Sequence, residues 1–209
     1  MQDLPLFLAY LAAASLLTIT PGVDTAMVLR AATINGARTA AMAAVGIGLG
    51  CLAWGAAVSF GLGALLQASE LAYTLLKFAG AAYLVWLGAR LILAPRDSLA
   101  AQGDTPQLEE WVALRRGFLT NMLNPKVGVF YVTFLPQFIP TGASVGSYSF
   151  FLTAIHVALG MIWFALLIAA TAPLARLLTS GSVIRTLDRL TGGVFVAFGV
   201  RLAASAADH

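Results

Sequence analysis

Six long apolar stretches separated by short polar connections set the pattern of this chain. They cover approximately residues 4–33, 37–66, 71–93, 114–139, 148–174 and 184–204. Each is about as long as the ~20 residues a helix needs to cross a bilayer's hydrocarbon core. Only structures that satisfy every backbone group internally survive there, so each stretch is predicted to be a helix. The first is interrupted at Thr20-Pro21-Gly22, and Asn35-Gly36 is a turn signal that separates it from the second. The one long polar connection, 95–108, ends in Thr105-Pro106, with Glu109 and Glu110 following. An N-cap threonine, a proline at the first helical position and acidic residues in the opening turn predict a short loop helix leading into the fourth segment.

Composition agrees with the pattern. Apolar residues make up 60% of the 209 and charged residues 10%, against roughly 25% charged in a soluble domain. A soluble chain of this size has no core large enough to hide that much apolar surface. The net charge of +3 is small and dispersed, which speaks against a nucleic-acid partner. The single cysteine, Cys51, excludes an intramolecular disulfide and a multi-thiolate metal site, and its apolar surroundings predict inert packing. The N-terminus has no basic region of the kind that opens a cleavable signal, so Leu4 onward is read as mature protein.

The positions of the basic residues orient the helices. Of twelve Lys and Arg, nine fall in the connections after segments one, three and five: Arg30 and Arg38; Arg90, Arg96, Arg115 and Arg116; Arg176, Arg185 and Arg189. Lys/Arg excess marks cytoplasmic connections. Those three connections therefore face the cytoplasm, and both termini lie on the opposite, periplasmic side.

The order of features also suggests a repeat. Segments one and four are each broken by proline, Pro21 and Pro125, 104 residues apart, and Gly88-Ala89-Arg90 is echoed 111 residues later by Gly199-Val200-Arg201. The expected fold is an all-α integral membrane bundle of six transmembrane helices in two inverted three-helix repeats, 1–94 and 114–209, joined by a cytoplasmic loop, 95–113.

The two breaks carry the candidate chemistry. Proline in a helix removes a backbone donor and clashes with the preceding turn. Thr20 and Asn124, each before a proline, are expected to cap new half-helices whose N–H groups and positive dipole ends favour an anion at membrane depth. Paired discontinuous helices at corresponding positions point to a transporter binding site. The predicted substrate-binding residues are Thr20, Pro21, Gly22, Asp24, Asn121, Asn124, Pro125 and Lys126. Intramembrane ionisable residues are functional candidates by default. Asp24 is read as receiving a substrate ammonium or carrying a coupling proton, and Lys126 as steering a carboxylate. The alternative for both is a structural ion pair between the half-helices. His156 is a second candidate for proton coupling, because histidine titrates near physiological pH; the competing reading is a satisfied structural histidine.

Thr20-Pro21-Gly22-Val23-Asp24, and Asn124-Pro125-Lys126 followed by Phe134-Leu135-Pro136-Gln137-Phe138, resemble the LysE/RhtB family of amino-acid exporters over almost the whole chain. Val23 stands where that family often has a second proline. The resemblance implies proton-driven export of amino acids or analogues across a bacterial inner membrane, with no cofactor. A neutral amino acid is favoured, since Asp24 is nearly alone as an intramembrane anion. The alternatives are an exporter of divalent metal or another cation, which calls for several acidic or thiolate ligands, and a membrane-embedded enzyme. The latter needs a nucleophile with a base, or a metal cluster. Lone Cys51 and His156 and the lack of paired carboxylates argue against catalytic or metal chemistry. Gly46, Gly48 and Gly50 allow close helix approach, with packing inside the chain favoured over a homodimer. Lys77 is expected to snorkel outward and Arg115-Arg116 to anchor segment four at lipid headgroups.

Overall fold

The apolar segments become helices in the predicted order, and prolines decide where they break. The computed structural model describes residues 3–68, 70–95, 109–170 and 180–207, and all regular structure among them is helical. Segment one gives α1 (Asp3–Ile19) and α2 (Val23–Asn35); segments two and three give α3 (Ala37–Ala68) and α4 (Glu70–Leu93). Segment four gives α5 (Glu110–Met122) and α6 (Pro125–Val129), then a π turn (Phe130–Phe134) and a 3-10 turn (Leu135–Phe138). Segments five and six give α7 (Val145–Ala169) and α8 (Gly181–Ala207). The loop helix expected from Thr105-Pro106, most of the 95–113 connection, Arg96, Arg176 and the Lys77 side chain lie outside the described residues.

Both expected breaks are present. The axes on either side of Pro21 are bent by 50°. At the second, Asn124 caps α6: its Oδ1 accepts from the Lys126 N–H at 3.1 Å, with Pro125 at the start of the helix. Segment four carries a further irregularity that the pattern did not predict. Pro136 has no N–H for the carbonyl one turn earlier, and the chain there passes through the π turn and then tightens to 3-10 geometry. Gly36 ends α2 with φ 88°, in the left-handed region that favours glycine.

Within the described residues, Ala37–Gly61 and Val145–Ala169 are each long and apolar enough to cross a bilayer, and Leu4–Ile19 with Val23–Asn35 pass the same test only when taken together as one bent pair. Phe78–Leu93 is a shorter apolar helix.

Apolar helices gain little by associating in lipid, so small residues that let backbones meet decide the packing. Glycine supplies them at two crossings. A Cβ on Gly46 would press into the Leu114 carbonyl, and one on Gly117 into that of Ala43, so α3 and α5 touch backbone to backbone. The glycine stripe on α3 is thus used inside the chain. On α4 and α8, a Cβ on Gly88 would lie 2.6 Å from the Gly192 carbonyl oxygen, and one on Gly192 lies 2.6 Å from that of Gly88.

Two apolar cores flank the breaks. The larger centres on Tyr10, Phe130, Tyr131, Phe134 and Phe138, all 0–1% exposed. Phe134 stacks obliquely on Phe198 with centroids 4.3 Å apart, and the Tyr10 hydroxyl donates to the Leu152 carbonyl at 2.6 Å. The smaller core joins Val28, Ala40, Ile47, Phe164 and Leu167.

Candidate functional site

Between the two cores lies a cavity of about 60 Å³. The end of α1, the start of α2 and the break between α5 and α6 supply its polar wall, while α3 and α7 close the rest. Thr20, Gly22, Asp24, Asn121, Asn124 and Lys126 all line it, as does His156. Seven of the residues picked from the sequence thus converge on one space, although they sit as far apart as residues 20 and 156. Pro21 and Pro125 act through the chain breaks they cause.

Lys126 explains how the first break is tolerated. Leu17 stands four residues before Pro21, so in a continuous helix its carbonyl would bond an N–H that proline lacks. The Lys126 ammonium donates there instead, at 3.1 Å, and donates to the Thr20 carbonyl at 3.1 Å. One cation from the second break therefore caps the end of α1. It is near Gly22 as well: a Cβ on that glycine would lie 4.0 Å from Nζ.

Asp24 is held from the other side. Its Oδ2 accepts from Asn121 Nδ2 at 2.9 Å, and the same amide group points at Cys51 Sγ at 3.4 Å. Asp24 Oδ1 and Asn121 Oδ1 are both buried without a hydrogen-bond partner. Buried polar atoms are normally satisfied, and these two unpartnered acceptors belong to residues that line the cavity. Gly50 makes room for this arrangement, since a Cβ there would lie 2.6 Å from Asn121 Oδ1.

On α7, His156 Nδ1 shares a hydrogen bond of 2.9 Å with the Tyr131 hydroxyl, and the residue lines the cavity. Tyr131 is fully buried in the π turn, so the irregular backbone of segment four fixes the histidine ring. Among the described residues no three of His, Cys, Asp and Glu gather as a metal site.

Two expectations change. Thr20 does not cap α2: its hydroxyl turns back to the Leu16 carbonyl at 2.6 Å and meets the Thr191 hydroxyl of α8 at 2.5 Å. The cap position belongs to Gly22, in extended conformation and with no side chain to close it, so the opening N–H groups of α2 are left for other partners. Cys51, expected as inert packing, is a buried free thiol that also lines the cavity and accepts from Asn121 Nδ2. Sequence reading also missed Tyr131, Thr191 and the apolar wall made by Val157, Gly160, Met161 and Phe164. That wall had a signal: these residues follow His156 at the one-face spacing of a helix.

A cavity with one polar wall, held between interrupted helices inside a bundle of bilayer-length apolar helices, is the construction of a membrane translocator rather than an enzyme. Residues 15–206 match the family model described as LysE type translocator, and the chain belongs to that family. It is 33% identical over 206 residues to an uncharacterized membrane protein of Vibrio cholerae, covering 99% of this chain and 100% of the other. It is 30% identical over 207 residues to a leucine efflux protein of an Enterobacter species, with 94% of each chain covered. A leucine efflux protein of Klebsiella pneumoniae is 28% identical over 199 residues, again with 94% of each chain covered. No solved structure matches.

Proposed function

We propose that this protein is a secondary carrier that exports neutral amino acids or close analogues from the bacterial cytoplasm, exchanging them for protons by alternating access. The observation that carries the proposal is the cavity at the two breaks, where an acid, Asp24, and a base, Lys126, line one small space. Such a pair suits a zwitterion. The ammonium would meet the orphaned oxygens of Asp24 and Asn121, and the carboxylate would meet Lys126 and the open N–H groups of α2. The leucine efflux proteins among the relatives favour an amino acid as the solute.

The full architecture proposed is six crossings in the inner membrane, in two inverted halves, with both termini periplasmic. The Gly88–Gly192 contact supports the repeat. The two glycines are 104 residues apart, the same offset as Pro21 and Pro125 and in place of the 111 of the Gly88–Gly199 echo, and a Cβ built on either would lie 2.6 Å from the other's carbonyl oxygen. Reciprocal contact between equivalent residues is what a two-fold axis produces where it passes between them. In this orientation the start of α3, with Arg38, faces the cytoplasm. The aromatic core around Phe130, Phe134 and Phe138 would then seal the periplasmic half, as in a carrier waiting for a cytoplasmic solute. Asp24, with His156 beside it in the cavity, is assigned the returning proton.

The test is efflux of radiolabelled leucine from proteoliposomes with and without an imposed pH gradient. Gradient-accelerated efflux that a protonophore abolishes is the expected result. Efflux indifferent to the gradient would remove the proton from the mechanism, and the absence of flux for every amino acid tried would remove the exporter reading.

A further inference from the structure

The cavity has two chemically different ends, and the second end has no part in holding a zwitterionic backbone. A Cβ on Gly48 of α3 would sit 3.3 Å from Met161 Cε and 3.6 Å from Val157 Cγ1 of α7. Further along, one on Gly55 would press on Thr153, and one on Gly146 would lie 3.2 Å from the Ser59 carbonyl. The two helices therefore run antiparallel. Moving back along α3 from Cys51 to Ile47 and forward along α7 from His156 to Phe164 leads in one direction, away from Asp24 and Asn121. Every cavity-lining residue on that course is apolar: Ile47, Gly48, Val157, Gly160, Met161 and Phe164. Ile47 and Phe164 merge there into the smaller apolar core.

Gly160 is the open point in this wall. It sits on the cavity-facing stripe of α7, one turn beyond His156 and one turn before Phe164, and a Cβ added to it meets nothing within 4 Å. At 1.5 Å rise per residue it lies about 6 Å along the axis from the histidine. That is about the distance from an amino acid's charged end to the tip of a leucine or methionine side chain.

We propose that this apolar end is the side-chain compartment of the carrier and that Gly160 sets the length it accepts. The ligand class is then an α-amino acid with an uncharged aliphatic side chain of leucine or methionine size. A lysine-like side chain would strand its ammonium among Ile47, Met161 and Phe164 with no partner. The inference rests on the amino-acid carrier reading above and adds to it the residue that selects among solutes.

The test is competition and efflux in proteoliposomes with leucine, methionine and alanine, for the wild-type chain and for Gly160→Ala and Gly160→Leu. Alanine for glycine inside a helix favours helical backbone, so the first variant is expected to fold. A filled compartment should reject the long side chain by a factor on the order of 10 to 200, the range for one unaccommodated methylene-sized group. Gly160→Leu is therefore expected to lower leucine and methionine efflux at least about tenfold relative to alanine, with Gly160→Ala in between. Met161→Ala, which enlarges the same end, is expected to admit phenylalanine. Equal scaling of all three solutes in Gly160→Leu, together with no gain of phenylalanine in Met161→Ala, would overturn the compartment while leaving the carrier intact. A wild-type chain that moves none of these solutes would instead overturn the carrier reading itself.

Discussion

At Pro21 the backbone loses one donor, and a side chain from the other half of the molecule replaces it. The carbonyl so served, that of Leu17, is 109 residues from Lys126 in sequence. Lys126→Met leaves a buried acceptor unsatisfied and is expected to lower stability by about 1–3 kcal/mol, read as an earlier unfolding transition of the detergent-solubilised protein. Because the same ammonium is assigned to the substrate carboxylate, this variant should also lose its preference for leucine over the amine that lacks the carboxylate. A preference that survives intact would return Lys126 to a purely structural role. Asp24→Asn keeps hydrogen-bonding capacity without the charge. It should raise the leucine concentration needed for half-maximal exchange, because the ammonium loses its counter-charge, and should abolish acceleration by a pH gradient; full gradient-driven efflux would remove Asp24 as the proton carrier. Cys51 gives a direct view of the cavity as the chain's single cysteine. Its reaction with a maleimide should slow in the presence of leucine, and mass spectrometry of the labelled chain measures this without any transport assay.

Among the helices, glycine is the residue whose replacement is expected to do most damage away from the cavity. Gly46→Val and Gly88→Val would place side chains where neighbouring carbonyls already stand, and relaxing a crossing apart costs about 1–3 kcal/mol or more in overpacking. Loss of a monodisperse peak on size exclusion is the readout, with Gly61→Ala as the neutral comparison because a Cβ there meets nothing within 4 Å. The element boundaries were largely legible in the sequence, since lipid demands long apolar runs and proline and Asn-Gly interrupt them for local reasons. Asn124 could be read as a cap because its partner is two residues away. Thr20 could not be read correctly, because its partner is Thr191 at a separation of 171 residues, and no local rule encodes that choice. The Tyr131–His156 bond was hidden for a similar reason: it depends on a π turn set up by a proline five residues after the tyrosine. Helical spacing from His156 places Gly160 on the same face, but only the shape of the cavity shows what its missing side chain permits.

At the scale of the whole molecule, cohesion comes from packed backbones and buried polar caps rather than from surface charge. The Arg38–Glu110 pair joins the starts of α3 and α5 at 2.9 Å, but its side chains are 85% and 40% exposed. Such pairs contribute about 0–1 kcal/mol, so Glu110→Gln should shift the unfolding midpoint very little beside Gly46→Val. The capping of α1 by Lys126 matters more, because it ties the end of α1 to the break between α5 and α6. In an idle carrier that cation grips the protein's own carbonyls. On the proposed mechanism an arriving carboxylate would compete for it and loosen the joint only while cargo is aboard. The latch and the recognition group would then be one atom, and the empty protein would have little means of rocking over and letting protons slip through unaccompanied.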